Sequence, residues 1–134
     1  SSTMNNNIDA QIAQLNDEVK CTLKPSLLHG IGVFALRNIK KGEQLFCSFN
    51  PRPLYDVPYD RMNELRPEIK EIILQRYCGV IDGGKFQSPN DDQLLTSWMN
   101  HSNTPNYGQL GDCALRDIQK GEEVTEDYRT MCKR

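Results

Sequence analysis

The chain is 134 residues long, the size of one ordinary domain of roughly 100–150 residues, so a core is expected but no separate regulatory domain. Hydrophobic residues make up 37% and charged residues 25% of it, which excludes a disordered, fibrous or disulfide-stapled class. Sixteen Lys plus Arg against 18 Asp plus Glu leave a net charge of −2, which argues against a dedicated nucleic-acid module, whose pI is usually above about 9, and suits a small molecule or a cationic partner.

The elements are read in chain order. Residues 1–7, with Ser1-Ser2-Thr3 ahead of Met4, are read as disordered or foreign to the natural chain, with neither the basic nor the apolar region of a secretory signal. Ile8, Ile12, Leu15 and Val19 then recur at helical spacing, with Asn7 as a possible N-cap, and predict a short amphipathic helix across one end of the core. Residues 8–23 thus hold a helix and an entry strand. Short β-rich runs follow at Val33–Leu36, Glu43–Phe49, Cys113–Arg116 and Glu122–Thr125. Between them, Asn50–Pro58 with its three prolines reads as irregular connection. A second helix is predicted from Pro67, at N1, to about Cys78, with Ile69, Ile72, Ile73 and Tyr77 on one face and Gly79 beyond its end. No apolar run approaches the roughly 20 residues of a membrane span. The five cysteines form no C-x-x-C pair, which points to reduced thiols inside a cell, in nucleus or cytoplasm.

An internal echo organises the chain. Ala35-Leu36-Arg37-Asn38-Ile39-Lys40-Lys41-Gly42-Glu43-Gln44-Leu45 matches Ala114-Leu115-Arg116-Asp117-Ile118-Gln119-Lys120-Gly121-Glu122-Glu123-Val124 at seven of eleven positions. Both copies read strand, turn, strand, as two similar hairpins facing one core.

Three segments carry candidate chemistry. His29-Gly30-Ile31-Gly32-Val33-Phe34-Ala35 places a G-x-G before a strand, where backbone amides can approach a ligand; a tight turn explains the same residues, and the Rossmann fingerprint does not match. Trp98-Met99-Asn100-His101-Ser102-Asn103-Thr104-Pro105-Asn106 crowds amides, an imidazole and a hydroxyl that need partners if buried; a structural histidine followed by an Asx-Pro turn is the plain alternative. Gly121-Glu122-Glu123-Val124-Thr125-Glu126-Asp127-Tyr128 brings four carboxylates up to a tyrosine, with Val124, Glu126 and Tyr128 on one face by strand alternation; a solvated edge strand explains that pattern too.

In their joint order, G-x-G-V-F-A, N-H-S-x-x-P-N and G-E-E-V-T-x-D-Y, these segments resemble the SET domain of protein lysine methyltransferases, and the chain is similar in size to the minimal viral members. The resemblance runs over residues 24–128, with a variable helical insert at about 50–94 and a tail at 129–134. It implies a mostly β fold with short helices (α+β), a β-clip of small curved sheets with a pseudoknot-like C-terminal threading. It further implies transfer of a methyl group from S-adenosylmethionine to a lysine amine of a protein, a histone tail foremost, with S-adenosylhomocysteine as product. Gly30, Ile31, Gly32, Asn100, His101 and Tyr128 would then line the cofactor site and Tyr128 would be catalytic. Trp98, read as packing beneath the cofactor, is named with Tyr77 and Phe86 as a weaker candidate for the substrate channel.

Glu122, Glu123, Glu126 and Asp127 are expected to help attract a basic substrate. Asn103 stands where many members have a zinc-binding Cys, and only Cys132 follows, so no zinc is expected. The longer C-terminal segment that usually completes the lysine channel is not seen, and the N-terminal helix, residues 129–134 or a second subunit of a homodimer are the candidates to close it. The partner is expected to be a lysine-bearing protein or peptide rather than nucleic acid or membrane. A SET-like module that binds a partner without turnover is the alternative reading, and a metal hydrolase built on the carboxylates and His101 a more distant one.

Overall fold

The computed structural model describes residues 2–46, 57–74, 78–79, 85–86 and 95–131; they belong to two compact units of the chain, Ser1–Val19 with Ser48–Asp91 and Lys20–Cys47 with Asp92–Arg134.

The first unit is built on helix α1 (Ser2–Glu18). Ile8, Ile12 and Leu15 are buried because their spacing puts them on one stripe of the helix, and Val19, just past its end, is buried with them. The helix begins at Ser2 rather than near Ile8, so Asn7 lies inside it and not at its N-cap. Once a turn is nucleated each further residue adds a hydrogen bond, and that gain carries the helix through weak formers such as the Asn run. Strand β3 (Val57–Pro58) leads into a 3-10 helix (Tyr59–Glu64) and helix α2 (Pro67–Ile72). Asn16 of α1 donates from Nδ2 to Glu64 O at 2.9 Å and accepts Arg66 N–H at 2.8 Å, and Arg61 pairs with Asp9 and Glu64. The N-terminal helix is thus bound to the insert segment.

Pro67 sits in the first turn of α2 as expected, and Ile69 and Ile73 are fully buried. The α-helix runs to Ile72, and Ile73 and Leu74 continue it as a wider π turn, residues 75–77 lying outside those described, while the expected end at Cys78 is not helical. Cys78 and Gly79 instead form strand β4, which pairs with β5 (Lys85–Phe86), itself paired with β3. Sheet pairing there overrides the local helical pattern, as tertiary context often does.

The second unit holds the main sheet. Strands β1 (Cys21–Pro25) and β2 (Ile31–Ala35) form an antiparallel hairpin with Cys21 opposite Ala35, and β2 pairs with β9 (Glu123–Glu126) through Val33 and Val124. On the other side of β9 lies β6 (Asn100–His101), parallel to it, with Asn100 opposite Thr125. A small hairpin of β7 (Tyr107–Gly108) and β8 (Cys113–Ala114) completes the unit. Its core gathers Val33, Ala35, Ile39, Leu45, Phe46, Met99, Tyr107, Ala114, Ile118 and Val124. The strand expected over Glu43–Phe49 reduces to a bridge between Gln44 and Cys113, its last residues lying outside those described. The strand expected to reach Arg116 stops at Ala114.

The echo folds as one pseudo-two-fold pair rather than as two separate hairpins. Ile39 and Ile118 exchange both backbone hydrogen bonds, at 2.7 and 2.8 Å. Ala35 N–H donates to Glu122 O at 2.9 Å, and its counterpart Ala114 N–H donates to Glu43 O at 3.0 Å. Lys41 N–H reaches the Asp117 carboxylate and Lys120 N–H the Asn38 side chain, both at 2.8 Å. Each copy satisfies the polar backbone of the other, which buried amides require, and this fixes β9 beside β2.

Candidate functional site

Asn100 is the buried centre of the site. The parallel register of β6 against β9 turns its side chain toward Glu123 and the turn before β2. Its Nδ2 donates to His29 O at 2.9 Å, Ile31 O at 3.1 Å and Glu123 Oε2 at 2.9 Å, two hydrogens shared among three acceptors.

The glycines of the G-x-G are required by this arrangement. Gly30 has φ +47°, a left-handed conformation that costs L side chains roughly 1–2 kcal/mol. At Gly32 an added Cβ would stand 2.3 Å from Glu123 Oε2 and 3.1 Å from Asn100 Nδ2, inside both van der Waals surfaces. Gly32→Ala is therefore expected to lower stability by about 2 kcal/mol and to displace the Glu123 carboxylate. Urea denaturation reads the first, and a loss below about 0.5 kcal/mol would show that the cradle yields to a methyl group.

The next residue, His101, joins the N-H-S segment to the end of the chain. Its Nδ1 accepts the Tyr128 N–H at 3.0 Å and its Nε2 stands 3.0 Å from Asn103 Oδ1. With Nδ1 accepting, the proton of the neutral ring belongs on Nε2 and is donated to Asn103. Tyr128, the first residue of helix α3 (Tyr128–Met131), donates its hydroxyl to Met99 O at 2.6 Å, and its ring lies 5.2 Å from that of His101. Ser102 N–H donates to Glu126 O at 2.9 Å. Residues 99–102 are thus fastened to β9 and to the turn beyond it, which brings Asn100 and Tyr128 into one neighbourhood.

One expectation changes, that for Trp98. Trp98 is 48% exposed rather than packed in the core, and the buried position goes to Met99, 1% exposed. A turn in which Trp98 N–H and Met99 N–H bond Leu95 O and Thr96 O puts the indole outward and the thioether inward. Phe86 lies in β5 of the first unit, and Tyr77 lies outside the described residues.

The four carboxylates are not a free acidic face either. Glu122 is engaged by Arg116 at 2.6 Å and by Asn106; burial pushes its pKa up, but these donors and Gln119 N–H outweigh that and hold it below the usual range. The Arg129 guanidinium lowers Asp127 to about 2. Glu123 is bound within the cradle, and Glu126 is 5% exposed, with burial raising its pKa to about 7. Attraction of a basic tail by this cluster is correspondingly reduced, since the charges are paired or buried.

Asn106, at the end of the expected Asx-Pro turn, does more than close it. Its Nδ2 donates to Glu123 O at 2.8 Å and its Oδ1 accepts Thr125 N–H at 2.8 Å, so a side chain takes the place of a neighbouring strand along β9. Glu123 is likewise indistinguishable in sequence from the rest of the acidic run. Strand alternation, which sets Glu123 and Thr125 on the face opposite Val124, was the one signal that could have placed it against Asn100; Ser26 carries no such signal. Among the described residues no group of three or more His, Cys, Asp or Glu is placed to hold a metal ion.

Fold and site together define a small β-rich domain in which a buried asparagine, a glycine turn and a C-terminal tyrosine are drawn together by one parallel strand pair. The model of the SET domain matches residues 30–129, and the chain belongs to that family, whose members are in general S-adenosylmethionine-dependent lysine methyltransferases. Its small sheets and few short helices agree with the mostly β fold expected of that family. A variant-silencing SET domain-containing protein of Plasmodium falciparum is 33% identical over 129 residues, covering 83% of this chain and 5% of the relative's length. The crystal structure of a P. falciparum protein described as a candidate histone methyltransferase aligns with TM-score 0.40 and 23% identity, over 83% of this chain and 94% of that one.

Proposed function

We propose that this domain transfers a methyl group from S-adenosylmethionine to a lysine side chain of a protein or peptide, a histone tail being the first candidate substrate. The observation that carries the reading is the joining of Asn100 and Tyr128, 28 positions apart in the chain, through His101 and Met99. The residues fit the cofactor: the Asn100 amide hydrogens are taken up by the carbonyls of His29 and Ile31 and by the Glu123 carboxylate, which fixes the amide and leaves its Oδ1 to accept from a ligand bearing an ammonium.

Asn100 and the backbone of Gly30, Ile31 and Gly32 would hold the cofactor, which when bound supplies a methyl group already activated for attack. The chain has to align the lysine nitrogen and keep water away. A free lysine, with pKa about 10.4, is protonated at neutral pH and cannot attack; a desolvating channel lowers that value. The Tyr128 hydroxyl commits its hydrogen to Met99 O, so its oxygen is left to accept an N–H of the incoming amine. This orients the amine and needs no permanent base. His101, by fixing the Tyr128 backbone, positions that oxygen.

Incubating the domain with S-adenosylmethionine and a pool of histones and ribosomal proteins, followed by mass spectrometry, tests the reading. Lysines gaining 14 Da per methyl (roughly; an elementary CH2 increment) are expected, and Tyr128→Phe is expected to lower the rate about tenfold or more. Cofactor binding with no labelled lysine in that pool would favour the binding-module reading instead.

A further inference from the structure

Glu123 occupies a place in this site that only one kind of side chain can fill. Ser26 Oγ donates to it, 2.7 Å from Oε1 and 3.0 Å from Oε2, and Asn100 Nδ2 donates to Oε2 at 2.9 Å. Ser26 Oγ also accepts the N–H groups of Leu28 at 2.9 Å and His29 at 3.3 Å, which leaves the hydroxyl hydrogen as its only offer to Glu123. The amide nitrogen of Asn100 can only donate. Two obligate donors therefore face Glu123, and a carboxylate, which only accepts, satisfies both. Glutamine has the same shape but must turn its NH2 toward a donor. The missing Cβ of Gly32 gives the Oε2 atom its space.

Through these bonds Glu123 ties together strand β9, the turn of residues 26–31 and Asn100 of β6. The turn closes on itself through Ser26 N–H to Gly30 O at 2.8 Å, so its carbonyls at His29 and Ile31 reach Asn100 in a single geometry.

We propose that Glu123 is the positioning residue of the cofactor cradle: it locks the Asn100 amide and the turn of residues 26–31 into the binding geometry, and Ser26 acts through it. The proposal rests on reading this cradle as the S-adenosylmethionine site. Glu123 is not itself catalytic, so its loss acts on cofactor affinity rather than on the transfer step.

Isothermal titration of the wild-type chain with S-adenosylmethionine comes first. An absence of binding overturns the reading of the cradle and the proposal with it. With binding established, Glu123→Gln is expected to raise Kd by about tenfold or more, the scale of one buried donor left facing another, and to raise the KM for cofactor while kcat at saturating cofactor stays within about threefold. Ser26→Ala is expected to raise Kd by about threefold or more alone and by less than about twofold when added to Glu123→Gln, because a residue acting through another loses its effect in that background. Circular dichroism and a urea midpoint confirm that each variant is folded. If Glu123→Gln does not fold, Ser26→Ala alone decides. Wild-type affinity in the folded Glu123→Gln variant, additive effects in the double variant, or an unchanged Kd in Ser26→Ala when it alone decides would each overturn the proposal while leaving the reading of the cradle intact.

Discussion

Replacing Asn106 with alanine is expected to lower the unfolding free energy by about 3 kcal/mol, a large part of the roughly 5–15 kcal/mol that holds a domain together. The residue is 1% exposed, and three bonds leave its side chain, to Glu122 Oε2 at 3.1 Å, Glu123 O at 2.8 Å and Thr125 N–H at 2.8 Å. Alanine supplies none of them. The Thr125 N–H and Glu123 C=O would stay buried without a partner, at about 1–3 kcal/mol each before relaxation. Because β9 also carries Glu123 and leads into Tyr128, cofactor binding should weaken with stability. Gln109→Ala, an exposed change in the same region, should stay within about 0.5 kcal/mol. Urea denaturation of the two variants checks this; a loss below about 1 kcal/mol for Asn106→Ala would refute its role as a surrogate strand.

The second large effect concerns Glu126. Its carboxyl ordinarily titrates near 4.5, and burial raises it to about 7 in the folded protein. Between those values the folded state keeps a proton that the unfolded state has released, so unfolding releases protons and stability falls as pH rises. The Glu126 contribution is fully present below about pH 4.5 and lost as pH passes about 7. The difference is worth on the order of 3 kcal/mol. Glu126→Gln keeps the shape without the charge. It is expected to remove this contribution and to be more stable than wild type at pH 8 by about 2–3 kcal/mol, with little difference at pH 5. Urea midpoints of both proteins from pH 5 to 8 decide it; parallel curves would show that Glu126 remains ionised when folded. Burial first, then the hydrogen bond its hydroxyl donates to the Asp112 carboxylate, raise the Tyr107 pKa, and the charge of Glu126 adds to this, so a second readout is the Tyr107 ring signal in NMR across the same range.

Much of the site was legible because its chemistry is local in sequence. The glycines of Gly30-Ile31-Gly32 and the adjoining Asn100-His101-Ser102 could be recognised as motifs, and the structure brings Asn100 to the carbonyls of the glycine turn. Helix α1 was likewise legible in its apolar spacing, though its start was not, since helix propagation and not a capping residue decides where it begins. Side chains such as Asn106, Glu123 and Ser26 escaped notice because each acts on a backbone or side-chain atom far away in the chain, and a polar residue in a turn looks the same whether its partner is water or a distant strand. The misplacement of Trp98 has the same origin. Both it and Met99 are apolar, and only the turn at residues 95–99 selects which one is buried.

What the sequence by itself determined is the family, the segments that meet at the site and the internal echo, because motif order and residue identity need no third dimension. The tertiary structure alone decided how these parts are joined. The two echo copies pair with one another through Ile39 and Ile118 rather than each closing its own hairpin, because buried backbone groups take whichever partner the packed chain presents. The same choice set β6 parallel to β9, and with it Asn100 against Glu123 and His101 against Tyr128. Four carboxylates that read as one acidic run became two paired groups, one cradle acceptor and one buried acid, since the worth of a charge depends on what stands within a few ångströms of it.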